Sequence, residues 1–159
     1  MLNYVVCVST MRGKILENNA LLNSDLPLLI INQCKALNEE LTAEDFIDFQ
    51  SNKIEFYNFY ELGLSKSRNR ALERANAEWV IIADDDVCFD DNCLRSLINE
   101  SSDFDVIVFS NSDQTGPKFS NDENVMRIIF SAASWCIAVK KEFIDIIEFS
   151  KHLKFNWSL

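Results

Sequence analysis

The feature that most constrains this chain is an apolar run that ends in three consecutive aspartates. Trp79–Ala83 has the pattern of a strand buried on both faces, and Asp84, Asp85 and Asp86 follow it directly. Adjacent like charges repel, so neither a helix nor a strand interior gains stability from them. At the carboxyl end of a strand they can share a divalent cation, because hard oxygen ligands suit Mg²⁺ or Mn²⁺. A solvated turn that leads into a helix is the alternative.

Composition narrows the class of protein. The 159 residues suffice for one domain, which we place at 1–159, and 48% of them are hydrophobic, as is typical of soluble globular proteins. The net charge of −10 argues against nucleic acid as a partner. Five cysteines without a CxxC pair, and an N-terminus without the features of a signal peptide, predict a cytoplasmic location.

Strand-like and helix-like segments alternate along the chain. The patterns predict strands at Asn3–Val8, Pro27–Ile31, Lys53–Tyr57, Trp79–Ala83, Asp105–Ser110 and Ala133–Val139. They predict helices at Lys14–Asn23, Ser65–Asn76, from Asp90 or Asp91 onward, and at Lys140–Ser150, with a loop at Ser112–Asn124. This alternation predicts an α/β fold, in which a Rossmann-like, mainly parallel sheet carries helices on both faces.

Polar residues follow three of the predicted strands. They are Ser9 and Thr10, Asn32 and Gln33, and Asp84–Asp86. In open α/β sheets, ligands bind outside the carboxyl ends of the strands. We therefore expect the three groups to meet at one edge of the sheet.

A basic turn opens the helix before the acidic strand. Lys66, Arg68 and Arg70 lie in or beside its first turn, where the helix dipole normally favours acidic residues. A bound phosphate would make these cations favourable, and this is the interpretation we prefer. The alternative is a solvated helix whose cations pair with Glu61, Glu73 and the three aspartates.

The segment Gly63–Asp86 resembles the central signature of family 2 glycosyltransferases, which have the GT-A fold. The shared pattern is a glycine, a small residue followed by Arg68-Asn69, an alanine near the helix end, an apolar strand and a DxD motif. The match continues through the apolar and acidic positions up to Leu94.

The resemblance implies a metal-dependent transferase that moves a sugar from a nucleotide-diphosphate sugar to an acceptor hydroxyl, in surface polysaccharide or glycoconjugate synthesis. It implies that Asp86 binds Mn²⁺ or Mg²⁺ and that Asp84 faces the ribose or shares the ion. The other positions implied to bind the nucleotide sugar are Ser9, Thr10, Asn32, Gln33, Arg68, Asn69 and Asp85. Many members have Asp, in contact with uracil, where this chain has Asn32-Gln33, so a UDP-sugar is only weakly favoured.

The family's general base, usually a carboxylate after a Gly-rich segment, has no counterpart before Leu159. We therefore assign no catalytic residue and expect a truncated gene product or a donor-binding fragment of a longer enzyme. A non-catalytic nucleotide-sugar-binding module is the first alternative. A nucleotidyltransferase is the second, although its phosphate loop would be Ser9–Gly13 with a single glycine.

The acceptor side is less defined by the sequence. The acceptor, a glycan or a lipid-linked sugar, is not indicated, and Trp135 is either a core residue, which we favour, or part of the acceptor entrance. Five phenylalanines either cover the sheet or remain exposed, and exposure would favour a homodimer. These are Phe46, Phe49, Phe56, Phe59 and Phe155.

Overall fold

A computed structural model describes residues 3–49, 53–100, 105–108 and 136–143. Its strands are β1 (Tyr4–Met11), β2 (Leu28–Gln33), β3 (Ile54–Phe59), β4 (Trp79–Asp84), β5 (Val106–Val108) and β6 (Cys136–Lys140). Its α-helices are α1 (Asn19–Leu22), α2 (Leu64–Arg74) and α3 (Asp91–Glu100). Short 3₁₀ helices cover Lys14–Glu17, Leu37–Glu39, Ala43–Phe46 and Lys141–Phe143.

The six strands form one mixed sheet in the order β3-β2-β1-β4-β6-β5. The first four strands run parallel, and β6 runs antiparallel to both β4 and β5. The prediction of a mainly parallel α/β sheet is confirmed. The chain moves outward from β1 to β2 and β3, then crosses back to place β4 on the other side of β1. The boundary between β1 and β4 is therefore the topological switch point, where doubly wound sheets bind ligands.

Both faces of the sheet are buried. Successive side chains of a strand point to opposite sides, so each strand contributes to two core layers. One face packs against α1 and α3, and the other packs against α2, so helices lie on both faces as predicted. The first layer includes Val6, Val8, Ile30, Trp79, Ile81, Leu21, Leu22, Leu94 and Ile98. The second includes Cys7, Leu29, Ile31, Val80, Ile82, Ala71, Leu72 and Ala75.

The predicted helix Lys14–Asn23 is wrong in its continuity. A 3₁₀ turn ends at Glu17, and Asn18, with φ −90° and ψ 71°, caps the short helix α1 by accepting a hydrogen bond from the Leu21 amide. An asparagine that bonds a nearby backbone group favours a cap over a helix interior. β1 and β2 continue two or three residues beyond their predicted ends, to Met11 and Gln33.

Most of the phenylalanines that could have formed an exposed patch cover the core instead. Phe46, Phe49 and Phe56 pack against one core layer and Phe59 packs against the other. The homodimer therefore stays a prediction. Trp135, Phe155, the loop Ser112–Asn124 and the end of the predicted helix Lys140–Ser150 lie outside the described residues. Within the described ranges, no helix has both the length and the apolar character that crossing a membrane requires.

Candidate functional site at the carboxyl edge of the sheet

The polar residues that follow β1, β2 and β4 meet at one edge of the sheet. Ser9 lies opposite Asp84 in the parallel pairing of β1 with β4. Thr10 lies opposite Asn32 in the pairing of β1 with β2. The expectation that these groups converge is confirmed. They lie beside the switch point, because Ser9 and Asp84 face each other across the boundary between β1 and β4.

Asp84 is paired with a buried cation. The Nη2 atom of Arg68 donates to Asp84 Oδ1 at 2.8 Å, and the Arg68 side chain is only 4% exposed, against 34% for Asp84. Burial raises the pKa of the Asp84 carboxyl, the charge and hydrogen bond of Arg68 oppose that shift, and the charges of Asp86 and Asp85 add to it.

The next two aspartates have different surroundings. Asp85 is largely buried, and its Oδ2 accepts a hydrogen bond from Thr10 Oγ1 at 2.8 Å. Its Oδ1 lies 3.4 Å from the Lys14 ammonium. Asp86 is exposed to solvent. Residues 84–87 form what we call the acidic turn. Its three aspartates have different surroundings: Asp84 faces Arg68, Asp85 faces β1 and Asp86 faces water.

The basic turn of α2 is divided in the same way. Lys66 and Arg70 both pair with Glu61, at 2.9 and 3.4 Å, and Arg70 also pairs with Glu73 at 3.0 Å. These two cations adopt the pairing that the sequence offered as the alternative to an anion site. Arg68 differs, because it is buried and its guanidinium group contacts Asp84 at the end of β4.

The first turn of α2 is fixed to β1 by small polar side chains. The Ser67 hydroxyl donates to Ser9 Oγ at 2.9 Å, and both residues are buried. Asn69 is buried on the same helix. Ser9 therefore helps to hold α2, the helix that carries Arg68, against β1.

The two residues at the end of β2 are engaged by the protein itself. Asn32 is fully buried at 0% exposure. Its Oδ1 accepts from the Gly13 amide at 2.9 Å, and its Nδ2 donates to the Glu39 carbonyl at 2.8 Å and to Asn58 Oδ1 at 2.9 Å. Gln33 accepts from the Gly63 amide at 2.7 Å. In this arrangement Asn32 is a connector between loops, with no surface for a base.

Three residues that contribute to this edge were not singled out from the sequence. Lys14 contacts Asp85, Asn58 completes the amide network of Asn32, and Asn18 donates to two carbonyls of the acidic turn. An asparagine in the middle of a predicted helix was the available signal for Asn18, because asparagine favours N-caps.

These features define a doubly wound α/β protein whose acidic turn lies at the switch point beside a buried arginine. The sequence profile of glycosyl transferase family 2 matches residues 15–155. The chain belongs to this family. No curated protein matches the chain.

Solved structures share the fold at low sequence identity. S. aureus TarS 1-349 has 19% identity and a TM-score of 0.66, over 91% of this chain and 49% of TarS. The same protein in complex with UDP-GlcNAc has 20% identity and a TM-score of 0.64, over 91% of this chain and 47% of that one. The 4-diphosphocytidyl-2C-methyl-D-erythritol synthase from Anaerococcus prevotii has 13% identity and a TM-score of 0.54, over 88% and 71%. The chain thus spans about half the length of these two TarS structures.

Proposed function

We propose that this chain binds a nucleotide-diphosphate sugar in the crevice between the carboxyl ends of β1 and β4, and that the protein containing it transfers the sugar to an acceptor hydroxyl. The observation that carries this proposal is the pairing of Asp84 with buried Arg68 beside the exposed Asp86. The position at the switch point supports it, because this is where doubly wound sheets bind nucleotides.

Asp84 and Asp86 are suited to hold Mn²⁺ or Mg²⁺ together with the donor. Within the described ranges no cluster of three or more His, Cys, Asp or Glu side chains could enclose a metal ion. Mg²⁺ does not need one, since it is commonly held by one or two carboxylates and by substrate phosphates. A bound cation would neutralise the charge that develops on the leaving diphosphate. Arg68 holds Asp84 in place, and its charge favours the ionised carboxylate.

A UDP-sugar is the first donor to test. The TarS structure in complex with UDP-GlcNAc supports this choice. Because Asn32 is buried, we assign base recognition to other groups at this edge of the sheet.

A non-catalytic binding module is the second candidate. Family membership favours glycosyl transfer over the nucleotidyl transfer that the sequence also allowed.

Calorimetry with UDP-GlcNAc and other nucleotide sugars, with and without Mn²⁺, tests the proposal. We expect binding that Mn²⁺ strengthens and that Asp86→Ala weakens, while Asp48→Ala, at an exposed carboxylate before β3, has no effect. Turnover with an added acceptor, or hydrolysis, distinguishes the enzyme from the binding module. Absence of donor binding, or binding that Asp86→Ala leaves unchanged, contradicts both.

A further inference from the structure

The acidic turn is tied to the end of β1 and to the segment that follows β1 by four contacts. Thr10 Oγ1 donates to Asp85 Oδ2 at 2.8 Å, and the Lys14 ammonium lies 3.4 Å from Asp85 Oδ1. The Asn18 amide donates to the Asp85 carbonyl at 3.1 Å and to the Val87 carbonyl at 3.0 Å. The backbone on each side of Asp86 is therefore held by the Asn18 amide.

The middle carboxylate is already engaged by protein groups. Each of its two oxygens has a partner on the β1 side, and its side chain is only 14% exposed. Thr10 is itself fixed, because its hydroxyl oxygen accepts from the Ile15 amide at 3.0 Å. Asp85 is thus held in place by these contacts, whereas Asp86 is exposed to solvent.

We propose that Asp85 and Asn18 are positioning residues that hold Asp84 and Asp86 for a cation bound to the donor diphosphate, and that Asp85 is an anchor and not a ligand. This inference rests on the proposed function. Three adjacent carboxylates repel one another. The contacts of Asp85 with Thr10 and Lys14 draw its charge toward β1, and the Asn18 amide fixes the backbone, so that Asp84 and Asp86 can be brought together.

Substitution of Asp85 separates an anchor from a ligand. Asp85→Asn keeps an oxygen that can accept from Thr10, whereas Asp85→Ala removes the contact. We expect the Mn²⁺-dependent gain in UDP affinity, measured by calorimetry, to fall by at most about threefold in Asp85→Asn and by about tenfold in Asp85→Ala, on the scale of one or two hydrogen bonds. Asp86→Asn, at a proposed ligand, should lose most of the gain. If Asp85→Asn loses as much as Asp86→Asn, the anchor role is overturned.

Substitution of Asn18 tests the backbone contacts without a change of charge. Asn18→Ser keeps a good N-cap for α1 but is too short to reach both carbonyls. The matched control is Asn23→Ser, because Asn23 is exposed at the other end of α1 and bonds the Asn19 carbonyl. Hydrogen exchange of ligand-free protein should become about tenfold faster in the peptide covering 85–88 for Asn18→Ser alone, with β4 still protected.

The two measurements separate this inference from the proposed function. If wild-type protein shows no Mn²⁺-dependent gain in UDP affinity, the proposed function fails and the positioning role fails with it. If the wild type shows the gain and Asn18→Ser leaves both the exchange and the gain unchanged, only the positioning role is overturned. Faster exchange with an unchanged gain also overturns it, whereas faster exchange with a reduced gain supports it.

Discussion

The substitution Asn32→Asp distinguishes two roles for position 32. The family resemblance implies contact with the base, whereas the structure shows a buried residue that links loops. Many family members have aspartate at the end of this strand, in contact with uracil. If position 32 met the base in this protein, the substitution would strengthen UDP binding. If Asn32 is the loop connector that the structure describes, the substitution should destabilise the fold instead.

The cost follows from three of the hydrogen bonds of the Asn32 side chain. The introduced carboxylate can still accept from the Gly13 amide, but it replaces a donor that serves the Glu39 carbonyl at 2.8 Å and Asn58 Oδ1 at 2.9 Å. Two lost hydrogen bonds cost about 2 kcal/mol, and two buried acceptors facing a carboxylate add about 2 kcal/mol. We expect a loss of about 4 kcal/mol, which is a large part of the stability of an ordinary domain.

Urea denaturation at two pH values measures this loss. Burial disfavours the charged form, so the pKa of the introduced carboxyl should be raised in the folded state. Its penalty should then be small near about pH 4 and grow as pH rises above the unfolded-state pKa. Asn38→Asp, at an exposed asparagine, is the matched control. A loss below about 1 kcal/mol at pH 8, or tighter UDP binding by the variant, would refute the reasoning.

Three further substitutions or modifications test individual contacts. Arg68→Met should lower the free energy of unfolding, measured by urea denaturation, by about 2 kcal/mol, because a charged hydrogen bond to Asp84 is lost. A change below about 0.5 kcal/mol would contradict a stabilising role for this hydrogen bond. Gly63→Ala should cost about 1–3 kcal/mol, since φ of 133° is strained for any side chain, and an unchanged melting temperature would argue against this backbone conformation. Peptide mapping after iodoacetamide treatment should show Cys88 modified well before Cys7, because Cys88 is exposed and burial raises the pKa of the Cys7 thiol to about 12; equal rates would contradict this.

The strands could be predicted from the sequence more closely than the first helix. Trp79–Ala83 is apolar at every position, and a strand buried on both faces requires this, so β4 was predicted to within one residue. Lys14–Asn23 has helical spacing, yet Asn18 interrupts it by capping α1 and bonding the acidic turn. The two carbonyls of that turn that accept from the Asn18 amide lie 67 and 69 residues further along the chain, beyond the reach of any local pattern.

The sequence by itself determined the layering of the protein and the edge at which its polar residues gather. Apolar periodicity sets which segments become strands, and parallel strands place their carboxyl ends together. Only the tertiary structure decided how those residues differ: Asn32 is a buried connector, Arg68 a buried partner of Asp84, and Asp85 a group held by β1. The physical reason is that burial and hydrogen-bond partners depend on neighbours brought together by folding, such as Thr10 and Asp85, which are 75 residues apart.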